Sequence, residues 1–246
     1  MFTLGKGLIM DYTIVMYQYP LGTHLTHEIV SKLKNIKPHF ICFPEYFFVN
    51  KKLGNHVQTP HNQSLQLKRM QTLSRELQTV VIGGTMPELN GNLLHNTTFV
   101  FQNGNMVGFY RKQNLFFAEE GKITPGNGHV IFNAYGIRFS VLICADVFRD
   151  ENFLALKELG AQIIFIPTFS LMRNETVEEK FKRDNDIFIR GAQLANAILV
   201  KVCGVKSDYK NFLQARSLIA SPDGILYRVE PDQEDKAMII VNTVSI

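Results

Sequence analysis

Tyr12-Thr-Ile-Val-Met-Tyr17 is short, apolar and bounded by Pro20 and Gly22, the pattern of a buried strand. Leu25, Ile29, Leu33 and Ile36 then recur at helical spacing until Pro38 stops the helix. His39-Phe-Ile-Cys-Phe43 reads as a second strand. Leu67, Met70, Leu73 and Leu77 mark a second amphipathic helix, and Thr79-Val-Val-Ile-Gly-Gly84 a third strand. Strands alternating with helices in this way predict parallel strands with crossover helices, an α/β class.

Further along, the pattern changes. Asn96–Gln102 and Met106–Arg111 flank Asn103-Gly104-Asn105, a strong hairpin signal. After the turn Pro125-Gly126-Asn127-Gly128, His129–Asn133 and Ile137–Cys144 form another pair around Tyr135-Gly136. Antiparallel hairpins added to βαβ units imply mixed sheets. A helix over Asn152–Leu159 precedes the buried strand Ala161–Pro167. Glu178–Asn196 reads as one long helix with Phe181, Ile187 or Phe188, and Leu194 toward the core. Four strand-like runs close the chain: Ile198–Cys203, Ala215–Ala220, Ile225–Val229 and Met238–Val241, with Pro222-Asp223-Gly224 turning between two of them. About a dozen strands fit two stacked sheets better than one.

The whole chain sets bounds on this reading. Its 246 residues contain no repeat, low-complexity tract or linker, so residues 1–246 read as one domain. Residues 1–9 would be an upstream extension if Met10 is the native start. Hydrophobic residues make up 46% and charged residues 20%, enough apolar content for a sizeable core. The net charge of +4 comes without large basic clusters; pairs such as Lys51-Lys52 are short, which argues against nucleic-acid binding. No apolar run is long enough to span a bilayer, and residues 1–10 lack a signal-peptide pattern. The three cysteines, Cys42, Cys144 and Cys203, are odd in number and lack CxxC spacing, which argues against a disulfide framework or a zinc site. The expectation is a cytoplasmic protein.

Three apolar runs end in a reactive group. Phe40-Ile-Cys-Phe-Pro-Glu45 delivers a carboxylate, Met106-Val-Gly-Phe-Tyr-Arg-Lys112 an ammonium, and Ile137-Arg-Phe-Ser-Val-Leu-Ile-Cys144 a thiol. Together these are a base, an oxyanion stabiliser and a nucleophile, a set sufficient for acyl transfer. Each has an ordinary alternative. Most buried cysteines are inert packing, and Cys42 and Cys203, inside or beside apolar runs, read that way. Cys144 differs because charge follows it at once, in Ala145-Asp146-Val147-Phe148-Arg149-Asp150. Glu45 stands between Pro44 and the rings of Tyr46, Phe47 and Phe48, surroundings that would raise a carboxylate pKa as a general base requires. Lys112, beside Arg111, would on its own be a solvated lysine.

Taken together, Pro44-Glu45, Tyr110-Arg111-Lys112 with Leu115-Phe116, and Ile143-Cys144-Ala145-Asp146 resemble the nitrilase (carbon–nitrogen hydrolase) superfamily. The separations fit, 67 positions from Glu45 to Lys112 and 32 from Lys112 to Cys144. Thr124-Pro125-Gly126, Arg190–Ala197, and Ser217 with Pro222-Asp223-Gly224 resemble further family segments. The resemblance implies an α/β fold of four layers, an α-β-β-α sandwich with two mixed β-sheets. It implies hydrolysis of a non-peptide C–N bond in a small amide, carbamoyl or nitrile substrate, without metal or organic cofactor, in a homodimer or larger homo-oligomer. Glu45 would take the thiol proton, Cys144 attack, and Lys112 with the Ala145 N–H hold the oxyanion. Glu119, or its neighbour Glu120, would orient the lysine or the substrate. Phe148, Phe169 and Arg173 would contact substrate, Arg173 by clamping a carboxylate, and Phe47, Phe116 and Phe117 could narrow the site. The chain departs from the family at Val147-Phe148-Arg149-Asp150, where Phe148 matches but Pro-Glu is missing, and at Cys203-Gly204, where Asn often precedes the glycine. A catalytically idle binding protein and a redox sensor acting through Cys144 are the competing readings.

Overall fold

A computed structural model describes residues 9–49, 63–205 and 213–246. The expected N-terminal extension, apart from Ile9, and Lys51-Lys52 lie outside them. Among these residues are thirteen strands and five α-helices. The first half builds one sheet from β1 (Asp11–Gln18), β2 (Phe40–Cys42), β3 (Val80–Ile82), β4 (Met86–Asn90), β5 (Leu93–Gln102) and β6 (Asn105–Arg111). β1, β2 and β3 are parallel, with α1 (His27–Ile36) and α2 (Gln63–Leu77) as their crossovers. β5 runs antiparallel to β6 on one edge, and to β3 and then β4 along the other. The last strand, β13 (Met238–Ser245), returns to pair antiparallel with β1.

The second sheet has the order β12-β11-β10-β9-β8-β7. Its strands are β7 (Phe132–Ala134), β8 (Ile137–Val141), β9 (Ile163–Thr168), β10 (Ile198–Cys203), β11 (Leu218–Ser221) and β12 (Gly224–Arg228). β8, β9 and β10 are parallel, and the hairpins at both ends are antiparallel. Both sheets are therefore mixed.

The period-2 alternation of a strand assigns each residue of β1 to a face. Tyr12, Ile14 and Met16 join Phe40, Phe139 and Phe165 in the core between the sheets. Val15 and Tyr17 face the other way and pack with Leu33 of α1 and Met70 and Leu73 of α2. Burial on both faces is why these strands read as continuous apolar runs. On the far side, Phe153 and Leu156 of α3 (Asp150–Glu158) and Ala192 and Ala195 of α5 (Arg190–Ala195) cover the second sheet. The order helices, sheet, sheet, helices is the expected four-layer sandwich. Cys42 and Cys203 are buried packing residues with free thiols.

Several elements depart from expectation. The run expected as one helix over 178–196 is α4 (Val177–Asp184), a π-helical turn at Asn185–Ile189, and α5. Its inward stripe is Asp184, Phe188, Gly191, Ala192 and Ala195, so a carboxylate replaces the expected Phe181. Phe181 instead lies under the Arg228 guanidinium, 4.1 Å from its centroid. β4 was not expected, and β7 begins three residues later than the apolar run does. No helix among the described residues is long and apolar enough to cross a membrane.

Candidate active site

The three apolar runs stop at one end of the sandwich, on strands from both sheets. Beyond β2, the Phe43 N–H donates to the Ile82 carbonyl, and the chain turns through Pro44 to Glu45. Tyr46 then sits in the left-handed region at φ 58°, its N–H held by Thr85 Oγ1 at 3.0 Å. Gly84, at φ 64°, lies so close to this turn that a Cβ there would stand 2.3 Å from the Pro44 carbonyl oxygen. Only glycine allows both the conformation and the approach.

Lys112 follows β6. Its N–H donates to the Asn96 carbonyl at 2.9 Å, and its own carbonyl accepts from the Gly126 N–H at 2.7 Å. The Pro125-Gly126 turn thus seats the lysine; a Cβ on Gly126 would meet the Arg111 carbonyl oxygen at 2.3 Å. Cys144 stands three residues beyond β8, at φ 44°, and opens a 3₁₀ turn over Cys144–Phe148. Asp146 organises that turn. Its Oδ2 accepts from the Ile143 N–H and the Tyr110 hydroxyl, and its Oδ1 from the Gln113 and Asn114 N–H groups. One carboxylate therefore ties the cysteine loop to the segment after Lys112. Burial pushes Asp146 up to about 6, against the pull of these donors.

Glu45 and Lys112 are each 1% exposed. Lys112 Nζ donates to Glu45 Oε1 at 2.9 Å and to Glu119 Oε2 at 2.7 Å. Asn96 Nδ2 bridges the same two carboxylates, at 2.9 Å to Glu45 Oε1 and 2.8 Å to Glu119 Oε1. Glu119 also accepts from the Tyr46 hydroxyl at 2.7 Å and the Phe116 N–H at 2.8 Å, whereas Glu120 is exposed. The Phe169 N–H donates to Glu45 Oε2 at 2.8 Å. The Cys144 thiol donates to the Phe169 carbonyl oxygen at 3.7 Å and stands close enough to Glu45 and Lys112 for their charges to act on it.

The electrostatics divide the two carboxylates. Burial raises the Glu45 carboxyl, with Lys112 pulling the other way. Burial would raise Glu119 too, but Lys112, the Phe116 N–H and the Tyr46 hydroxyl hold it below its ordinary value. Burial would lower Lys112, yet Glu45, Cys144 and Glu119 reverse this and keep it charged. Cys144 is raised, by burial first and then by the Glu45 charge, with Lys112 offsetting part of both. Burial thus raises the proton affinity of both the thiol and the carboxyl beside it.

Cys144 opens on a cavity of about 390 Å³. Phe116, Phe117, Phe148, Phe169 and Arg173 line it, with Phe117, Phe148 and Arg173 exposed at its rim. Phe47 does not reach it and belongs to the core under α1 and α2. Asn96, Tyr46 and Asp146 were missed as site residues, as were the cavity's Asp184, Lys201 and Arg216. Asn96 carried a weak signal, an amide inside a strand whose two following threonines are buried with it.

The model of the family described as carbon-nitrogen hydrolase matches residues 19–245. The chain belongs to that family. A glutamine-dependent NAD(+) synthetase of Acinetobacter baylyi is 24% identical over 56% of this chain, which spans only 26% of that longer protein. The omega-amidase NIT2 of Pongo abelii is 27% identical over 63% of this chain and 62% of its own. Among solved structures, an amidase from Nesterenkonia sp. superposes with a TM-score of 0.76 at 17% identity, covering 98% of this chain and 93% of that one. The chain therefore shares its fold, a sandwich of two mixed sheets, with that amidase.

Proposed function

We propose that the protein is a cysteine-dependent hydrolase that cleaves a non-peptide C–N bond of a small linear amide or carbamoyl compound through a thioester. The observation that carries this is the buried hydrogen-bonded set Glu45–Lys112–Glu119 beside Cys144, whose thiol lines a cavity of small-molecule size. Glu45 takes the thiol proton as sulfur attacks the carbonyl carbon, so no stable thiolate is needed beforehand. Lys112 and the N–H of Ala145, which as an early residue of a 3₁₀ turn lacks an intrahelical partner, stabilise the oxyanion. Such a donor contributes ~3 to 4 kcal/mol to the transition state. Glu45 then returns the proton to the leaving ammonia or amine. In the second half it takes a proton from water, hydroxide adds to the thioester, and the carboxylic acid leaves as the thiol is restored. Glu119 keeps Lys112 charged and aimed.

The test is ammonia release from a panel of ω-amides, carbamoyl amino acids and simple nitriles, repeated with Cys144→Ala. Turnover that disappears with the thiol is expected. Absence of turnover on every compound, with no thioester adduct by intact mass, would leave a binding protein. Peroxide-sensitive behaviour without hydrolysis would indicate a redox sensor, a reading weakened by the raised thiol pKa. The proposal includes a cytoplasmic location, where the three thiols stay reduced, and a homodimer or larger assembly, which light scattering measures directly.

A further inference from the structure

Two carboxylates flank Lys112, and only one of them can be the proton acceptor while the other stays charged. An ionised carboxylate offers about four positions to hydrogen-bond donors. Among the described residues Glu119 meets four: the Tyr46 hydroxyl at 2.7 Å and Asn96 Nδ2 at 2.8 Å on Oε1, and Lys112 Nζ at 2.7 Å and the Phe116 N–H at 2.8 Å on Oε2. Glu45 meets three: Lys112 Nζ and Asn96 Nδ2, both at 2.9 Å on Oε1, and the Phe169 N–H at 2.8 Å on Oε2. Lys112 and Asn96 are shared, and each carboxylate has one backbone N–H of its own. The two sets therefore match donor for donor except at the Tyr46 hydroxyl.

We infer that Tyr46 is the positioning residue that assigns the roles of the two carboxylates: its hydroxyl fills the last acceptor position of Glu119 and leaves Glu45, beside Cys144, as the group that takes protons. A proton on Glu119 would have to displace or turn round one of four donors, whereas Glu45 keeps a position at Oε2. Glu45 and Tyr46 are consecutive in the chain, so one turn after β2 delivers both the base and the group that keeps its rival ionised. That turn is rigid, with Tyr46 in the left-handed region, its N–H on Thr85 Oγ1 and its ring edge-on to Phe169 and only 2% exposed. Hydrogen bonds to a charged form favour that form, in line with the opposite directions in which the two carboxyls depart from their ordinary values. The part of Glu45 as catalytic base rests on the hydrolase reading, whereas the division of proton affinity between Glu45 and Glu119 does not.

Carbon-13 spectra of protein labelled at the glutamate carboxyl carbons follow the two groups through the acid range, with Glu45→Gln and Glu119→Gln assigning their signals. In the wild-type protein Glu45 should gain its proton first as the pH falls, with Glu119 still ionised. Tyr46→Phe keeps the ring and should raise the Glu119 midpoint by about one to two pH units, the equivalent of one hydrogen bond to a charged group. 3-Fluorotyrosine in place of Tyr46, a stronger donor on the same ring, should lower that midpoint and gives the answer if Tyr46→Phe fails to fold. A tyrosine that serves only as packing would leave the midpoint where it is. Glu119 titrating at or above Glu45 in the wild type, or a Glu119 midpoint unmoved by these replacements, overturns the inference. Titrations as expected, with no ammonia released from any amide, would instead sink the hydrolase reading and leave the division of roles standing. Ammonia release by a protein whose Glu119 ignores Tyr46→Phe would do the reverse.

Discussion

In the proposed reaction Glu45 is the residue whose environment matters most. Its carboxyl is raised by burial, so it is protonated over a wider acidic range than an exposed glutamate. Because the base must be ionised to take the thiol proton, kcat/KM should rise with pH through a midpoint above the ordinary carboxylate value. A profile flat from pH 4 upward would remove Glu45 from that role. Lys112 gives a second prediction at this scale. Lys112→Met removes the cation that touches both carboxylates and should lower kcat by about 10²- to 10³-fold, the loss typical for an oxyanion donor. Arg111→Lys, at a half-buried pair with Glu88, should change kcat less than about threefold. Comparable losses in the two variants would show that Lys112 has no special part. Glu45 and Cys144 stood out in the sequence because each follows an apolar run, whereas Lys112, beside Arg111, stood out only through the family resemblance. Arg216 and Lys201 were not, because a cation within a strand-like run looks the same whether it faces solvent or a cavity. Asn96 and Asp146 were hidden because their partners lie tens of residues away.

Among the elements, the 3₁₀ turn at Cys144 depends on one side chain. Asp146→Asn would turn an amide N–H₂ toward N–H or O–H donors that now meet carboxylate oxygen. The expected cost is on the order of 3 kcal/mol of stability, seen as a lower urea midpoint, with activity falling as the cysteine loop loosens. A variant of unchanged stability and turnover would show the clamp to be dispensable. The parallel strands and crossover helices were readable because hydrophobic period and turn residues agreed. β4 escaped because Pro87 argues against a strand; it is tolerated because β4 occupies the sheet edge, where a missing N–H costs no ladder bond. The run over 177–195 kept its helical character, but its π-helical turn and buried Asp184 depend on tertiary contacts that no local pattern encodes.

For the molecule as a whole, the stacking of two sheets followed from strand number alone, while their relative placement depends on packing. Phe139 sits between the sheets against the rings of Phe40, Phe132 and Phe165. Phe139→Ala should cost about 3 to 5 kcal/mol and lower Tm by roughly 10 °C for a chain of this size. A shift of one or two degrees would mean that the interface closes over the gap. The division of the site between sheets has a further consequence. Glu45 and Lys112 extend from strands of one sheet, Cys144 and Phe169 from strands of the other. A slip of a few tenths of an ångström between the two halves separates sulfur from base while every strand keeps its own ladder. Heating should therefore silence the enzyme several degrees before circular dichroism registers any loss, so that turnover reports how tightly the halves are clasped.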